Sequence, residues 1–107
     1  MRYFAKFKKE KEGGYSVNFP LLKGCFSEGN SYDEAKAMAT EALSLWLESA
    51  LEYDEAIPVP KEYFGEEYVA IKVPAYLAVK IQLKTKREKH LEKAASTTSK
   101  RLEVHFA

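Results

Sequence analysis

Few side chains in this sequence have the type and spacing that catalysis or metal binding requires. His90 and His105 lie 15 positions apart, far beyond the three- or four-residue spacing that sets two imidazoles on one helix face. Neither has a cysteine nearby, so they do not make a zinc set. Cys25 stands alone, which excludes an intramolecular disulfide. With Lys23 as its one basic neighbour and no histidine partner, it reads as a small core residue rather than a nucleophile. A two-metal nuclease needs strand-borne acids that hold paired cations about 4 Å apart. The strand centres here offer Phe4, Ala5 and Lys6, then Ser16, Val17 and Asn18, then Ala70 and Ile71, while the glutamates fall in loops and on helix surfaces. Gly13 and Gly14 precede a strand, whereas a phosphate-cradling loop precedes a helix N-terminus. The sequence therefore predicts a chain that is not an enzyme, with no catalytic residues, no metal and no cofactor.

The surrounding elements are readable from periodicity. In RYFAKFK, Tyr3, Ala5 and Phe7 alternate with Arg2, Lys6 and Lys8, and in YSVNF, Tyr15, Val17 and Phe19 alternate with Ser16 and Asn18. That period of two marks half-buried strands. Gly13 and Gly14 tolerate the positive φ of a reversal between them. Pro20 ends the second strand because it cannot donate a ladder hydrogen bond, and Gly24 allows a turn into a short third strand over Cys25 to Glu28.

Ser31-Tyr32-Asp33-Glu34 has the Ser-x-x-Glu spacing of a capping box and predicts a helix over 32–52. Its apolar face is read as Ala35, Met38, Ala39, Ala42, Leu45, Trp46 and Ala50, widened by Leu43 and Leu47, with Trp46 as the largest anchor. Pro58, Pro60 and Gly65 make LEYDEAIPVPKEYFGEEY, 51–68, an extended connection. YVAIKV resumes strand alternation, and a right-handed crossover would set it parallel to the first strand. Pro74 starts a second helix with Leu77, Ala78 and Ile81 inward. From STTSKRLEVHFA onward the sequence shows no firm pattern and predicts a mobile tail.

The fold class is α+β: a three-stranded antiparallel meander, a helix, a returning fourth strand and a C-terminal helix. Residues 1–73 form the domain and residues 74–107 a basic helix and tail. Charge divides the same way. Residues 1–79 carry nine Lys/Arg against 13 Asp/Glu, a balance of −4, and residues 80–107 carry eight against three, a balance of +5. The start, MRYFAKFKKEKEGG, has no apolar signal run, and no apolar stretch approaches the roughly 18 residues of a membrane span, so a cytoplasmic protein without membrane association is expected.

GGYSVNFPLLKGCFSEGNSYDEAKAMATEALSLWL resembles the HicB antitoxin family. The resemblance rests on Gly13, Gly14, Tyr15, Phe19, Pro20, Leu22, Gly24, Cys25, Gly29, Glu34 and Ala35, and it continues through IPVP and VPAYLAVKIQL. It implies a β-β-β-α-β, partial RNase H-like fold without its catalytic acids. It also implies a partner, a HicA-like toxin: a small basic ribonuclease that cleaves mRNA with a histidine and is silenced when its RNA face is covered. A homodimer or higher oligomer is implied as well. The toxin-binding candidates are Phe19, Pro20, Leu21, Leu22, Lys23 and Glu28. Where relatives have Phe-Pro-Asp-Leu-Pro-Gly, this chain has FPLLKG, so any contact made by the family's acid is missing here.

Relatives often add a DNA-binding segment by which they repress their own operon. After KIQL, 24 residues remain, too few for a multi-helix helix-turn-helix unit and barely enough for a ribbon-helix-helix. Lys80, Lys84, Lys86, Arg87, Lys89 and Lys93, with Lys100 and Arg101 beyond them, are the candidates for meeting phosphates of operator DNA. A transcriptional regulator acting through this basic segment is the alternative reading.

Overall fold

A computed structural model describes the backbone of residues 1–106 and the side chains of residues 1–93. Four strands form one sheet: β1 Arg2–Lys9, β2 Tyr15–Asn18, β3 Phe26–Gly29 and β4 Tyr68–Lys72. Their spatial order is β3-β2-β1-β4. Helix α1 spans Tyr32–Glu52 and α2 spans Ala75–Phe106. The α+β class and the β-β-β-α-β order read from the sequence are observed.

The β1–β2 hairpin closes over Gly13 and Gly14, which hold φ of 100° and 79°. Gly14 has a second reason to be glycine: a Cβ there would lie 2.7 Å from the Gly29 carbonyl oxygen. Helix α1 starts where its cap predicts, the Ser31 hydroxyl accepting from the Glu34 amide at 3.1 Å. Its end is set by Asp54, whose φ of 52° places a non-glycine residue in the left-handed region.

Strand β4 is antiparallel to β1, pairing Tyr3 with Ile71 and Lys6 with Tyr68, not parallel to it as the crossover rule suggests. The reason lies in the long connection. The Tyr3 hydroxyl donates to the Pro58 carbonyl at 2.6 Å, Arg2 contacts Glu62 at 3.4 Å, and the Phe7 amide donates to Glu67 at 2.7 Å. The chain therefore travels the length of β1 after leaving α1, and it enters β4 from the far end.

Alternation assigns the faces. Tyr3, Ala5 and Phe7 of β1, Val17 of β2, and Ile71 with the following Val73 are buried against Ala35, Ala39, Leu43, Leu47 and Ala50 of α1. The buried stripe of α1 thus runs in steps of four through Leu43 and Leu47. Met38 and Leu45, read from the sequence as core, are 39% and 59% exposed. Trp46 is half-buried at the edge, its indole N–H donating to the Lys23 carbonyl at 2.9 Å. The wider Ala-Leu stripe wins because small alanines let α1 lie close to the sheet, so Leu43 and Leu47 fill the space between.

Packing is continuous across residue 73, since Leu77 and Ile81 of α2 belong to the same core. The helix then runs on to Phe106, where the sequence predicts an irregular tail. No proline or glycine occurs from 75 to 106, so nothing in the backbone chemistry stops it. Projection of α2 beyond the body gives the molecule extents of 70 × 25 × 19 Å. Lys100, Arg101 and His105 lie outside the residues whose side chains are described.

Candidate functional site

The segment from Phe19 to Cys25 is a closed double turn. The Phe19 amide donates to the Cys25 carbonyl, the Leu22 amide to Phe19 and the Cys25 amide to Leu22, each at 3.1 Å. Every third side chain points inward: Phe19 is 1%, Leu22 0% and Cys25 3% exposed. Phe19 and Leu22, named from the sequence as toxin-binding candidates, are therefore core residues that shape the loop from beneath. The side chains left at the surface are Pro20 and Lys23, with Leu21 half-buried. Glu28 is not beside them. It lies along β3 toward the β1–β2 turn, in a shallow polar recess with Glu10, Ser16 and Glu34.

Burial pushes the Cys25 thiol up to about 11 from 9.0. The folded state therefore resists ionisation that the unfolded state accepts, so its stabilising contribution is full below pH 9 and is lost as the pH rises toward 11. Unfolding free energy measured by urea titration is expected to fall across that window by up to about 1.4 kcal/mol per pH unit from this group. A Cys25→Ala chain titrated in parallel should lack that component.

Around the loop, the Lys23–Trp46 hydrogen bond carries the surface onto α1. Ala42 is one turn from Trp46, and Met38 and Leu45 are one turn from Ala42, so a half-exposed apolar flank continues from the loop along the helix. Glu34, Glu41, Glu48 and Glu52 line the outer side of that flank at the same helical spacing. The Tyr76 hydroxyl donates to Glu48 at 2.6 Å, and that carboxylate raises the phenol above its ordinary range. Tyr76, Val79 and Leu83 extend the exposed apolar surface along α2 at spacings of three and four, with exposures of 53%, 54% and 61%. The outer surface of the helix layer is thus apolar and acidic together. Met38 and Leu45 were hidden in the sequence because their positions also fit a core stripe.

The basic residues of α2 do not form one stripe. Lys84 is 9% exposed and bonded to Asp54 at 3.0 Å and Glu88 at 2.7 Å, so it ties the end of α1 to α2 instead of facing a phosphate. Its ammonium pKa is raised by the hydrogen bonds to Glu88 and Asp54, and the Asp54 carboxyl is held below its ordinary value by Lys84. At about 100° per residue, Lys86, Lys89 and Lys93 share one side of the helix, and Lys80 and Arg87 lie roughly opposite. Lys80 sits 5.9 Å over the Tyr76 ring. Lys86 and Lys89 rim a groove of about 560 Å³ walled by Met1, Ile57, Val59 and Ile81. Among the described residues no group of His, Cys, Asp or Glu is placed to hold a metal ion, and no helix is long and apolar enough to cross a membrane.

A family profile described as a HicB-like antitoxin of bacterial toxin–antitoxin systems matches residues 3–88. The chain belongs to that family. Antitoxin HicB 1 of Photorhabdus laumondii is 37% identical to it over 81 residues, 76% of this chain and 50% of that protein. Antitoxin HicB of Escherichia coli is 31% identical over 83 residues, covering 78% and 59%. The HicB-like chain thus spans 50–59% of the length of these antitoxins. A UPF0150 protein of Synechocystis is 45% identical over 60 residues, covering 56% of this chain and 73% of its own length. Two solved structures share the fold. The Burkholderia pseudomallei antitoxin HicB superposes with a TM-score of 0.61 at 20% identity, over 72% of this chain and 66% of that one. A chain of a HicA3 and HicB3 toxin–antitoxin complex superposes with a TM-score of 0.58 at 24% identity, over 69% and 99%.

Proposed function

We propose that this HicB-like chain is an antitoxin that binds and neutralises a HicA-type, mRNA-cleaving toxin by covering its RNA-binding face and catalytic histidine, with no chemistry of its own. The observation that carries the reading is the match of a HicB-like antitoxin profile to residues 3–88. The docking surface is the rigid turn at Pro20, Leu21 and Lys23 together with the apolar, acidic flank of α1. Complementary charge from Glu41, Glu48 and Glu52 speeds encounter with a basic partner, and the apolar side chains between them set residence time. The protein works in the cytoplasm as a homodimer or higher oligomer, and residues 74–107 serve its assembly or operator contacts.

Affinity purification from the native cell tests this. A small basic ribonuclease should co-purify, inactive in the complex and active once released. Leu45→Glu should raise the dissociation rate at least tenfold while leaving the melting temperature of the free chain within a few degrees, since Leu45 is 59% exposed. A chain that emerges with no bound protein removes sequestration as its function.

Operon autoregulation is a second reading, favoured by the shared side of Lys86, Lys89 and Lys93 on α2. Operator binding by the purified chain should weaken steeply with salt and be lost in a Lys86→Gln, Lys89→Gln, Lys93→Gln chain.

A further inference from the structure

Both helices pack on the same face of the sheet, and among the described residues no helix covers the other face. Antiparallel sheets of this kind normally turn small polar side chains to water. Here the register puts aromatic and cationic groups there. Phe26 of β3, Phe4 of β1 and Tyr68 of β4 share that face, because Asn18 pairs with both Phe26 and Lys6, Lys6 pairs with Tyr68, and Phe4 pairs with Ala70. Phe26 is 67% exposed, and Tyr63 stacks on Tyr68 with ring centroids 5.2 Å apart. Arg2, Lys6, Lys8 and Lys72 stand on the same face with Glu28, and two further acids reach it: Glu62 pairs with Arg2 at 3.4 Å, and Glu10 accepts from the Ser16 hydroxyl at 2.6 Å. Arg2 is already positioned over the Phe4 ring at 5.5 Å.

We propose that this open sheet face binds single-stranded RNA, with bases stacked on Phe26, Phe4 and Tyr68 and the phosphates met by Arg2, Lys6, Lys8 and Lys72. One row across the sheet reads Phe26, Asn18, Lys6, Tyr68, which places a ring at each end about 14 Å apart with a cation between them. That spacing accommodates a short run of extended nucleotides, and every base presents a π-face to such a platform whatever its sequence. Asn18 is exposed between Lys6 and Phe26. Its amide offers the donor and acceptor that a 2′-hydroxyl matches, which favours RNA over DNA. Charge argues against a protein occupant of either obvious kind. Two copies packed face to face would set Lys6, Lys8 and Lys72 against their counterparts, and a basic partner would be repelled by the same groups. The toxin-facing flank proposed above lies on the opposite side of the sheet, so the two readings stand or fall separately.

The test uses the purified full chain and a fluorescein-labelled 12-nucleotide RNA of mixed sequence, with DNA of the same sequence, followed by anisotropy at about 50 mM salt. Binding should weaken with a log–log salt slope near 3, from roughly 0.7 for each of four phosphates, and Lys6→Gln with Lys8→Gln should reduce that slope by about 1.4. Phe26→Ala and Tyr68→Ala should each weaken RNA binding roughly 5- to 100-fold with the melting temperature little changed in Phe26→Ala, and DNA should bind more weakly than RNA.

Absence of RNA binding at 100 µM-range protein, roughly the affinity of non-specific electrostatic contacts, overturns the proposal. So does equal or tighter binding of DNA. Binding that survives Phe26→Ala and Tyr68→Ala but is lost in the Lys86→Gln, Lys89→Gln, Lys93→Gln chain would assign it to α2 instead. A dimer that dissociates in Phe26→Ala without any RNA affinity would make the occupant a second copy of the chain.

Discussion

Phe19→Ala is expected to lower the unfolding free energy by about 3–5 kcal/mol, and with it the midpoint of a urea titration. The ring is 1% exposed and packed under the double turn with Leu22 and Cys25. Truncation removes its transfer free energy and leaves a cavity that three backbone hydrogen bonds around the turn keep from collapsing. Total stability for a domain of this size is only about 5–15 kcal/mol, so the variant will be partly unfolded at physiological temperature. Leu21→Ala, two residues on, should cost less, about 1–2 kcal/mol, because that side chain is only partly buried against the core. The pair separates two roles that lie side by side in FPLLKG. If Phe19→Ala left stability intact and weakened partner binding alone, Phe19 would belong to an interface and the burial argument would fail.

Gly29→Ala should cost about 3 kcal/mol or more, measured the same way, although only one methyl group is added. An added Cβ would meet the backbone of α1 at the Ala35 nitrogen, 2.6 Å from the Ala35 Cα and 2.8 Å from the Glu34 carbonyl carbon. Those are main-chain atoms in the first turn of the helix, so no rotamer change relieves the clash. Either β3 or the start of α1 must shift, and the Ser31 cap and the Tyr15–Gly29 pairing are adjacent. Gly29 does not have positive φ, so conformational freedom is not the reason for glycine here. A Gly13→Ala chain supplies the contrast. There the cost comes from φ of 100° with open space around the site, and it should be closer to 1 kcal/mol.

Much of the architecture was legible because local chemistry and global fold agree. The alternations around Tyr3 and Val17, the Gly13-Gly14 reversal, the Ser31 cap and Pro74 before α2 are short-range signals, each with a physical cause that acts within a few residues. The direction of β4 was not legible. It depends on where a 15-residue connection, 53–67, travels, and that is decided by Tyr3, Arg2 and Phe7, more than fifty residues earlier in the chain. The stripe of α1 was ambiguous for a related reason. Met38, Leu45 and Trp46 fit one apolar face and Leu43 with Leu47 fit another, and the sheet selects between them by closeness of approach.

The loop shows the same limit at the scale of single side chains. Pro20 and Gly24 announce a turn, but which of Phe19, Leu21 and Leu22 faces in follows from three hydrogen bonds that bring every third residue beneath the surface. Lys84 looks like any other cation of a basic helix until Asp54, at the end of α1, is brought beside it.

The sequence by itself determined the element order, the caps and turns and the family, because these rest on residue type at short spacing. The tertiary structure alone decided where charge and aromatic surface face. The acidic balance of residues 1–79 is a sum over both sides of a sheet, and strand register divides it: glutamates on the outer face of α1, and Arg2, Lys6, Lys8 and Lys72 with Phe4, Phe26 and Tyr68 on the open face, where Glu10, Glu28 and Glu62 offset part of the positive charge. Composition carries no direction, and pairing between distant strands supplies it.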